Sequence, residues 1–479
     1  MNEIAAAALL IDFGSTYTKL RAVDLQRANI IGSGQGPSTV NTDITIGMEA
    51  ALADLGSKIG GLPNFKYRLA TSSAAGGLRM VTVGLVKELT AEAARIAALG
   101  AGAKLIGTYA YRLTVRDIVE IEAHEPDILL LAGGTDGGNE EVVLHNAGII
   151  AGSSINCPVV VAANRVATDR IATQLYSAGK NTVASENVMP EFNVLNIEPA
   201  RAAIRKIFID RIVHAKGIDR AAEQFDAVLM PTPEAVMEGA RLLADGTDAR
   251  EGLGPLLIID IGGATTDVHS VASGNPTLEG AIQRGLPEPY VKRTVEGDLG
   301  MRHNAASIVE AAGLDALALD SGLSQDRFGE ILSLFEKDVE RVPKSDEEQA
   351  VDQSLARAAT LIAVRRHSGR TETVYTVMGP AIAQHGKDLS SVAAVIGTGG
   401  VLVHGNDPAG ILQKACADPN DPESLRPSAP RLLLDREYLL YACGLLGTVE
   451  PNAALTLGLT HMHSLGEEEL SHGRNSATG

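Results

Sequence analysis

At 479 residues the chain exceeds what one hydrophobic core usually serves, and at 45% apolar with 50 glycines it reads as globular rather than disordered. A formal net charge of −18 repels phosphate backbones and anionic lipid heads, which argues against nucleic-acid and membrane partners. Cys157, Cys416 and Cys443 stand far apart with no C-x-x-C, so neither a zinc site nor a disulfide framework is expected, and a reducing, cytoplasmic setting is.

The first element, "IAAAALLI" at 4–11, is an apolar run of strand length without the basic leader of a signal peptide. It ends in "DFGSTYT" at 12–18, which sets a carboxylate, a glycine and several hydroxyls in succession. "SSAAGGLRM" at 72–80 reads as a turn whose Ser72 and Ser73 either line a cleft or satisfy a cap. Between 90 and 163 helical and strand signals alternate cleanly. "TAEAARIAALGA" predicts a helix capped by Thr90, "AKLIGTYAY" a strand, and "TVRDIVEIEAHE" a helix capped by Thr114. "PDILLLAGG" is a buried strand, "NEEVVLHNAGIIAG" a helix from near Asn139, and "CPVVVAAN" the next strand. Short strands joined by helices of about a dozen residues imply parallel pairing, here in a flavodoxin-like α/β unit inserted into a larger domain. "AGGTDGGN" at 132–139, with Asp136, is either an anion site at a helix start or a tight strand-to-helix connection.

Residues 185–255 read as mostly helical and polar, and "DGTDAREGLGP" at 245–255 as a domain boundary. "LLIIDIGGATTDV" at 256–268 then repeats the opening pattern: Asp12 aligns with Asp260, Gly14 with Gly262 and Thr18 with Thr266. "TVEGDLGMR" at 294–302 brings Gly297 and Asp298, for a nucleotide or closure site or a plain helix cap. "VAAVIGTGGVLVHG" at 392–405 is a strand followed by Gly397, Gly399 and Gly400, which would let an adenine and ribose lie against the backbone. "DPNDPESLRPSAP" at 418–430 is a loop or linker, after which the chain returns to helix and ends in a polar tail. The expected partition is 1–250, 251–417 and 418–479.

A glycine-rich turn after a strand exposes backbone N–H groups to phosphate oxygens, while a carboxylate at the strand end suits the hydration shell of Mg²⁺. Two such turns facing each other would grip the phosphates of one nucleotide from both sides, with Asp12 and Asp260 flanking the metal. No G-x-x-x-x-G-K-[ST] is present, so a P-loop is excluded. "DVHSVASG" at 267–274 superficially matches a D-x-H-x-x-G cobalamin motif, but Ala272 stands where glycine is needed, so His269 is not expected to ligate cobalt. "HMH" at 461–463 with His472 reads as solvated tail rather than a metal site.

"DFGSTYTK", "DIGGATTDV" and "VIGTGGVL" together resemble the phosphate-1, phosphate-2 and adenosine segments of the actin/Hsp70/sugar-kinase ATPase superfamily. Across "SSAAGGLRMVTVGLV", "PDILLLAGGTDGGN", "VMPEFNVLNIEPAR" and "RTVEGDLGMR" the chain is similar to the GlmL/MutL family of glutamate (methylaspartate) mutase accessory proteins, distinct from the mismatch-repair proteins of that name. The resemblance implies a two-domain actin-like (ribonuclease H-like) ATPase that binds ATP and Mg²⁺ and reactivates an adenosylcobalamin-dependent mutase. It also implies that Asp12 and Asp260 contact Mg²⁺ through water, one of them orienting the attacking water. Thr16, Thr18, Thr265 and Thr266 are then phosphate-side donors, with the amides of Gly14, Ser15, Gly262 and Gly263. Lys19 either contacts phosphate or faces solvent. The inserted unit is expected to dock against, or imitate, the mutase's cofactor domain. Alternatives are a small-molecule kinase or ATP-dependent amidohydrolase on the same fold, and a non-enzymatic scaffold; the cysteine spacing departs from that of an iron–sulfur activator.

Overall fold

The computed structural model describes residues 6–14, 17–39, 43–73, 78–215, 227–377 and 379–466. The chain divides into two compact units. The first comprises Met1–Leu242, Gly285–Pro289 and Leu440–Leu457; the second comprises Leu243–Arg284, Tyr290–Leu439 and Gly458–Gly479.

In the first unit, β1 (Ala7–Phe13) and β2 (Tyr17–Asp24) form an antiparallel hairpin, and β3 (Asn29–Pro37) pairs antiparallel with β2. β1 is apolar at every position except Asp12, as a central strand covered on both faces should be. Helix α1 (Ile44–Ile59) starts at an Asp43 cap and lies on β3, where alternate glycines make room for it. A Cβ at Gly34 would stand 2.3 Å from the Ala51 carbonyl and one at Gly36 2.3 Å from that of Gly47, so helix and strand meet backbone to backbone. β4 (Phe65–Ser72) then pairs parallel with β1.

Five parallel strands follow: β5 (Leu78–Gly84), β6 (Ala103–Ala110), β7 (Ile128–Leu131), β8 (Val159–Val161) and β9 (Thr182–Ala184). Their spatial order, β6-β5-β7-β8-β9, is the 2-1-3-4-5 order of flavodoxin-like sheets. Between them run α2 (Glu92–Gly100), α3 (Val115–Ala123), α4 (Glu141–Ala151) and α5 (Arg165–Ser177). Thr114 caps α3 as expected, in a reciprocal box with Asp117. Thr90 instead sits inside a π-turn at 87–91 and accepts from the Leu85 and Val86 amides. The inserted sheet thus spans 78–184 rather than 90–163, because its central strand precedes the first helix and a short fifth strand follows. Alternating side chains divide it: Met80, Ile128, Leu130 and Val160 join the core shared with β1 and α1, while Val81, Val83, Leu129 and Leu131 pack with α3, α4 and α5.

After α6 (Glu198–Ala215), β10 (Ala227–Pro231) returns beside β4 and completes the order β3-β2-β1-β4-β10. Helix α7 (Thr232–Asp245) leaves it directly. The returning helix α14 (Leu440–Gly447) belongs to this unit, packing on β1 and β4. It approaches α7 so closely that a Cβ at Gly444 would lie on the Ala235 carbonyl.

The second unit opens with a short hairpin of β11 (Gly246–Thr247) and β12 (Arg250–Glu251) and then repeats the first sheet's plan. β13 (Leu256–Ile261), β14 (Thr266–Val271) and β16 (Val291–Glu296) are antiparallel, and β19 (Ala394–Thr398) and β20 (Arg431–Leu434) extend parallel from β13. The order β16-β14-β13-β19-β20-β21 therefore matches the first sheet strand for strand, plus β21 (His463–Ser464). This duplication is the two-domain actin-like, ribonuclease H-like architecture. β15 (Ile282–Arg284), β17 (Arg370–Thr376) and β18 (Gly379–His385) make a separate small sheet. A helical layer of α8 (Ala305–Ala312), α9 (Leu314–Ser321), α10 (Gln325–Lys337) and α11 (Asp346–His367) packs over the core through Ile308, Leu317, Phe328 and Leu355. Two short helices, α12 (Gly400–His404) and α13 (Pro408–Gln413), follow β19.

The division differs from the expected one in two places. The first boundary falls after Leu242, and the segment after 417 is shared between the units rather than forming a third. The Pro-rich stretch is not a free linker: Leu425 and Arg426 are buried, and β20 begins at its end. Among the described residues no helix is long and apolar enough to cross a membrane.

His269, on β14, is buried between Ile258 and Arg293, and burial, with the Arg293 charge, pushes its imidazole down to about 3; Asp267 opposes the shift. The unfolded chain protonates near 6.5, so stability is complete above that pH and declines as pH falls toward 3. By pH 5 the loss from this one side chain is about 2 kcal/mol. Urea unfolding of His269→Phe at pH 7 and pH 5 should show a pH-dependent loss smaller by that amount; an undiminished loss removes the assignment.

Candidate functional site

Each unit carries its aspartate at the penultimate residue of its central strand, just before the hairpin turn. In the first, Asp12 stands opposite Lys19 across the β1–β2 pair and opposite Thr71 across β1–β4. Its Oδ1 accepts from the Thr232 hydroxyl at 2.7 Å and from the Thr71 hydroxyl at 3.3 Å. Burial pushes its carboxyl above the ordinary range, against the pull of Thr232, Lys19 and Thr71. Lys19 is therefore Asp12's charge partner across the strands, rather than a purely solvent-facing lysine.

The turn corrects several assignments. Gly14 N–H donates to the Tyr17 carbonyl at 3.0 Å and closes the hairpin, so it is not an open phosphate donor. Thr18 pairs with Phe13 and shares its face, toward α1, where its hydroxyl is buried without a hydrogen-bond partner among the described residues. Ser15 and Thr16 lie outside the described residues.

The second hairpin repeats this geometry. Gly262 N–H donates to the Thr265 carbonyl at 2.9 Å, and Thr266, opposite Ile261, is buried with its hydroxyl on the Leu299 carbonyl at 2.7 Å. Neither the Gly262 amide nor the Thr266 hydroxyl is thus available to phosphate. Thr265 stays partly exposed in the turn, and the N–H of exposed Gly263 makes no hydrogen bond among the described residues. The segment 299–304 braces the turn from behind: Met301 N–H donates to Gly262, Arg302 and His303 N–H to Gly263, and the Asn304 amide to Ala264. Gly300 is required there, since a Cβ would stand 2.3 Å from the Ala264 carbonyl.

Asp260 faces a more acidic setting than Asp12. It pairs with Asp267 on β14 and with Thr398 on β19. Asp267 is ion-paired to Arg293 at 2.7 Å. Burial pushes the Tyr438 phenol up, and the Asp260 and Asp435 charges add to the shift, which places both carboxylates within its reach. Asp435 itself accepts from the Leu439 N–H. A strand-end carboxylate with further acidic groups beside it fits a hydrated Mg²⁺, which needs one or two carboxylates and keeps its waters. Among the described residues no group of three or more His, Cys, Asp or Glu forms a direct metal cage.

The three glycines after β19 have three different jobs. Gly397 is core packing: its Cβ would meet Leu412 and Leu402, and its carbonyl takes the Asp435 N–H, so it is not a ligand-facing position. Gly399, at φ 101 and ψ 158, lets the chain turn against β13. Gly400 opens α12 with free space around it and lines a cavity of about 300 Å³ within the second unit. That cavity is mainly apolar and joins the second hairpin (Ile261, Gly262, Gly263) to the Gly400–Gly405 segment and the helical layer. Its other wall takes Gln349, Asp352 and Gln353 from α11, and Val342 and Pro343 from the connection that precedes that helix. Arg302 crosses it, paired to Asp352 at 2.6 Å, bonded to the Arg341 carbonyl and seated 4.5 Å over the Phe335 ring. Burial raises the Asp352 carboxyl, and Arg302 opposes that shift. These wall residues carry no sequence motif. The one signal is "GMR" at 300–302, one residue after the Gly297-Asp298 pair.

The remaining candidates are structural. Asp298 and Glu296 clasp Arg366, and the Arg366 hydrogen bond holds the Asp298 carboxyl below its usual range. Asp136 accepts from Arg165 N–H and the Asn187 amide, which makes "AGGTDGGN" a braced strand-to-helix connection. Ser72 is buried at the end of β4.

The family model described as MutL protein matches residues 8–462. Protein MutL of Clostridium tetanomorphum is 46% identical over 455 residues, covering 94% of this chain and 98% of that one. Among solved structures, nucleotide-free acetone carboxylase superposes with a TM-score of 0.41 at 14% identity, covering 92% of this chain and 70% of its own. The activator of 2-hydroxyisocaproyl-CoA dehydratase from Clostridium difficile, with bound ADPNP, gives 0.31 at 10% identity, with 95% and 97% covered.

Proposed function

The chain belongs to the MutL protein family, and from that membership we propose that it is an ATP-binding accessory protein that reactivates an adenosylcobalamin-dependent mutase, glutamate (methylaspartate) mutase first. The observation that carries the nucleotide part is the duplicated hairpin, with Asp12 and Asp260 at the same place in two sheets of the same strand order. The nucleobase end is assigned to the cavity between the second hairpin and α11, where Arg302 offers a planar cation and Gln349 and Gln353 offer amides. In each unit the hairpin aspartate, Asp12 in the first and Asp260 in the second, is the group that would meet the hydration shell of Mg²⁺, which when bound offsets phosphate charge. Gly263 N–H and Thr265 are the donors retained for phosphate, and Lys19 serves by neutralising Asp12.

A nucleotide that binds one domain arrangement more tightly than another shifts the population toward it, and hydrolysis releases that bias. This is the proposed coupling to the mutase: domain movement opens the partner so that damaged cobalamin leaves. Docking is assigned to the inserted sheet. Hydrogen exchange on mixing with inactivated mutase should then protect the loops at 132–139 and 185–196, and protection confined to the second unit ends that assignment.

The decisive experiment is recovery of an inactivated mutase by the purified protein, with and without ATP and Mg²⁺. Recovery only with both, alongside phosphate release, supports the proposal. Stoichiometric phosphorylation of a small metabolite instead would replace it with a kinase reading.

A further inference from the structure

We infer that Thr232 and Thr71 are positioning residues for Asp12, an inference that rests on the nucleotide reading above and specifies how the first hairpin is held. Asp12 lies at the end of β1, Thr71 beside it in register on β4, and Thr232 immediately after β10, as the first residue of α7. Three segments far apart in sequence thus converge on one carboxylate. The Thr232 hydroxyl donates to Asp12 Oδ1 at 2.7 Å, the Thr71 hydroxyl lies 3.3 Å from the same oxygen, and the two hydroxyls are 3.1 Å apart. Both donors meet one oxygen, and among the described residues no hydrogen bond to Oδ2 is made. The carboxylate plane is fixed through Oδ1, and Oδ2 is the atom left for an external ligand.

The second unit does not repeat this arrangement. It keeps a threonine in register, Thr398 opposite Asp260, but the residue after β20 is Asp435, whose carboxylate is committed to the Leu439 N–H. One repeat holds its aspartate with neutral hydroxyl donors; the other surrounds it with further carboxylates. The hydroxyl pair is therefore a feature of the first hairpin and not a by-product of the fold. A carboxylate that contacts a cation through water depends on its orientation, because each water must bridge two fixed points. Thr232→Val keeps the side-chain shape and removes the donor, whereas Thr232→Ser keeps the donor.

The test is calorimetry of ATP binding with and without Mg²⁺, for the wild type, Thr232→Val, Thr71→Val and Thr232→Ser, with thermal melting to confirm folding. Thr232→Val should reduce the Mg²⁺-dependent gain in ATP affinity about tenfold while leaving metal-free ATP binding within about threefold. Thr71→Val should act in the same direction and more weakly, since its contact is longer. Thr232→Ser should restore the gain. An undiminished gain in both valine variants overturns the inference and leaves the nucleotide reading standing. No Mg²⁺-dependent gain in the wild type defeats the nucleotide reading itself.

Discussion

Asp12→Asn and Asp260→Asn should each slow Mg²⁺-supported ATP turnover by about 100-fold or more while leaving the fold at least as stable as before. The kinetic part follows from charge. Asparagine preserves the shape and an oxygen acceptor, so Thr232 can still donate to position 12, but the negative charge that orders a hydrated cation is gone. Removing one preorganised electrostatic partner from a water-poor site typically costs about 10²–10³-fold. The stability part follows from burial. Asp12 is a carboxylate whose desolvation outweighs its hydroxyl and lysine partners, as the upward shift of its carboxyl records. A neutral amide relieves that cost. Asp260 sits near Asp267 and Asp435, so neutralising it relieves like-charge repulsion. Sites that lose activity and gain stability on neutralisation are kept for function rather than for folding. Phosphate release and melting temperature measured on the same preparations check both parts. Turnover within about threefold of wild type in either variant removes that aspartate from the site.

The sequence made the position of these aspartates legible because a strand buried on both faces tolerates a carboxylate only where the strand ends. It did not make the surrounding hydroxyls legible. Thr18 and Thr266 look like phosphate ligands when the turn is read as a string, yet residues opposite each other in an antiparallel pair share a face. Phe13 and Ile261 take theirs into the core. The glycine amides misled for a related reason: a four-residue hairpin turn consumes its first N–H in closing itself, at Gly14 and again at Gly262. The two hydroxyls that do reach Asp12, Thr71 and Thr232, lie 59 and 220 residues away and meet only through strand order. The cavity wall was hidden likewise, since Arg302 comes from the turn before α8 and Gln349 and Gln353 from α11, and only tertiary packing brings them together. The inserted sheet was recognised by its alternation of strands and helices, and its true limits were missed at the central strand β5 and the three-residue β9.

Gly399 and Gly400 are neighbours for which opposite results are expected. Gly399 has φ 101 and ψ 158, a region essentially restricted to glycine, and its Cβ would stand 2.3 Å from the Ile261 carbonyl. Both sides of that clash are backbone, so β13 and the turn it carries must move. Gly399→Ala should therefore cost about 3 kcal/mol or more and lower the melting temperature by several degrees. Gly400 has nothing within 4 Å of its Cβ position and lines the cavity. Gly400→Leu meets no backbone and places apolar volume where the nucleobase is assigned. MgATP affinity should fall about 30-fold or more, roughly 2 kcal/mol, with melting unchanged. Calorimetry and thermal melting of the two variants separate the cases. Gly400→Leu binding MgATP within about threefold of wild type would move the nucleobase out of this cavity while leaving the two aspartate hairpins in place, because nothing in their geometry depends on where the base lies.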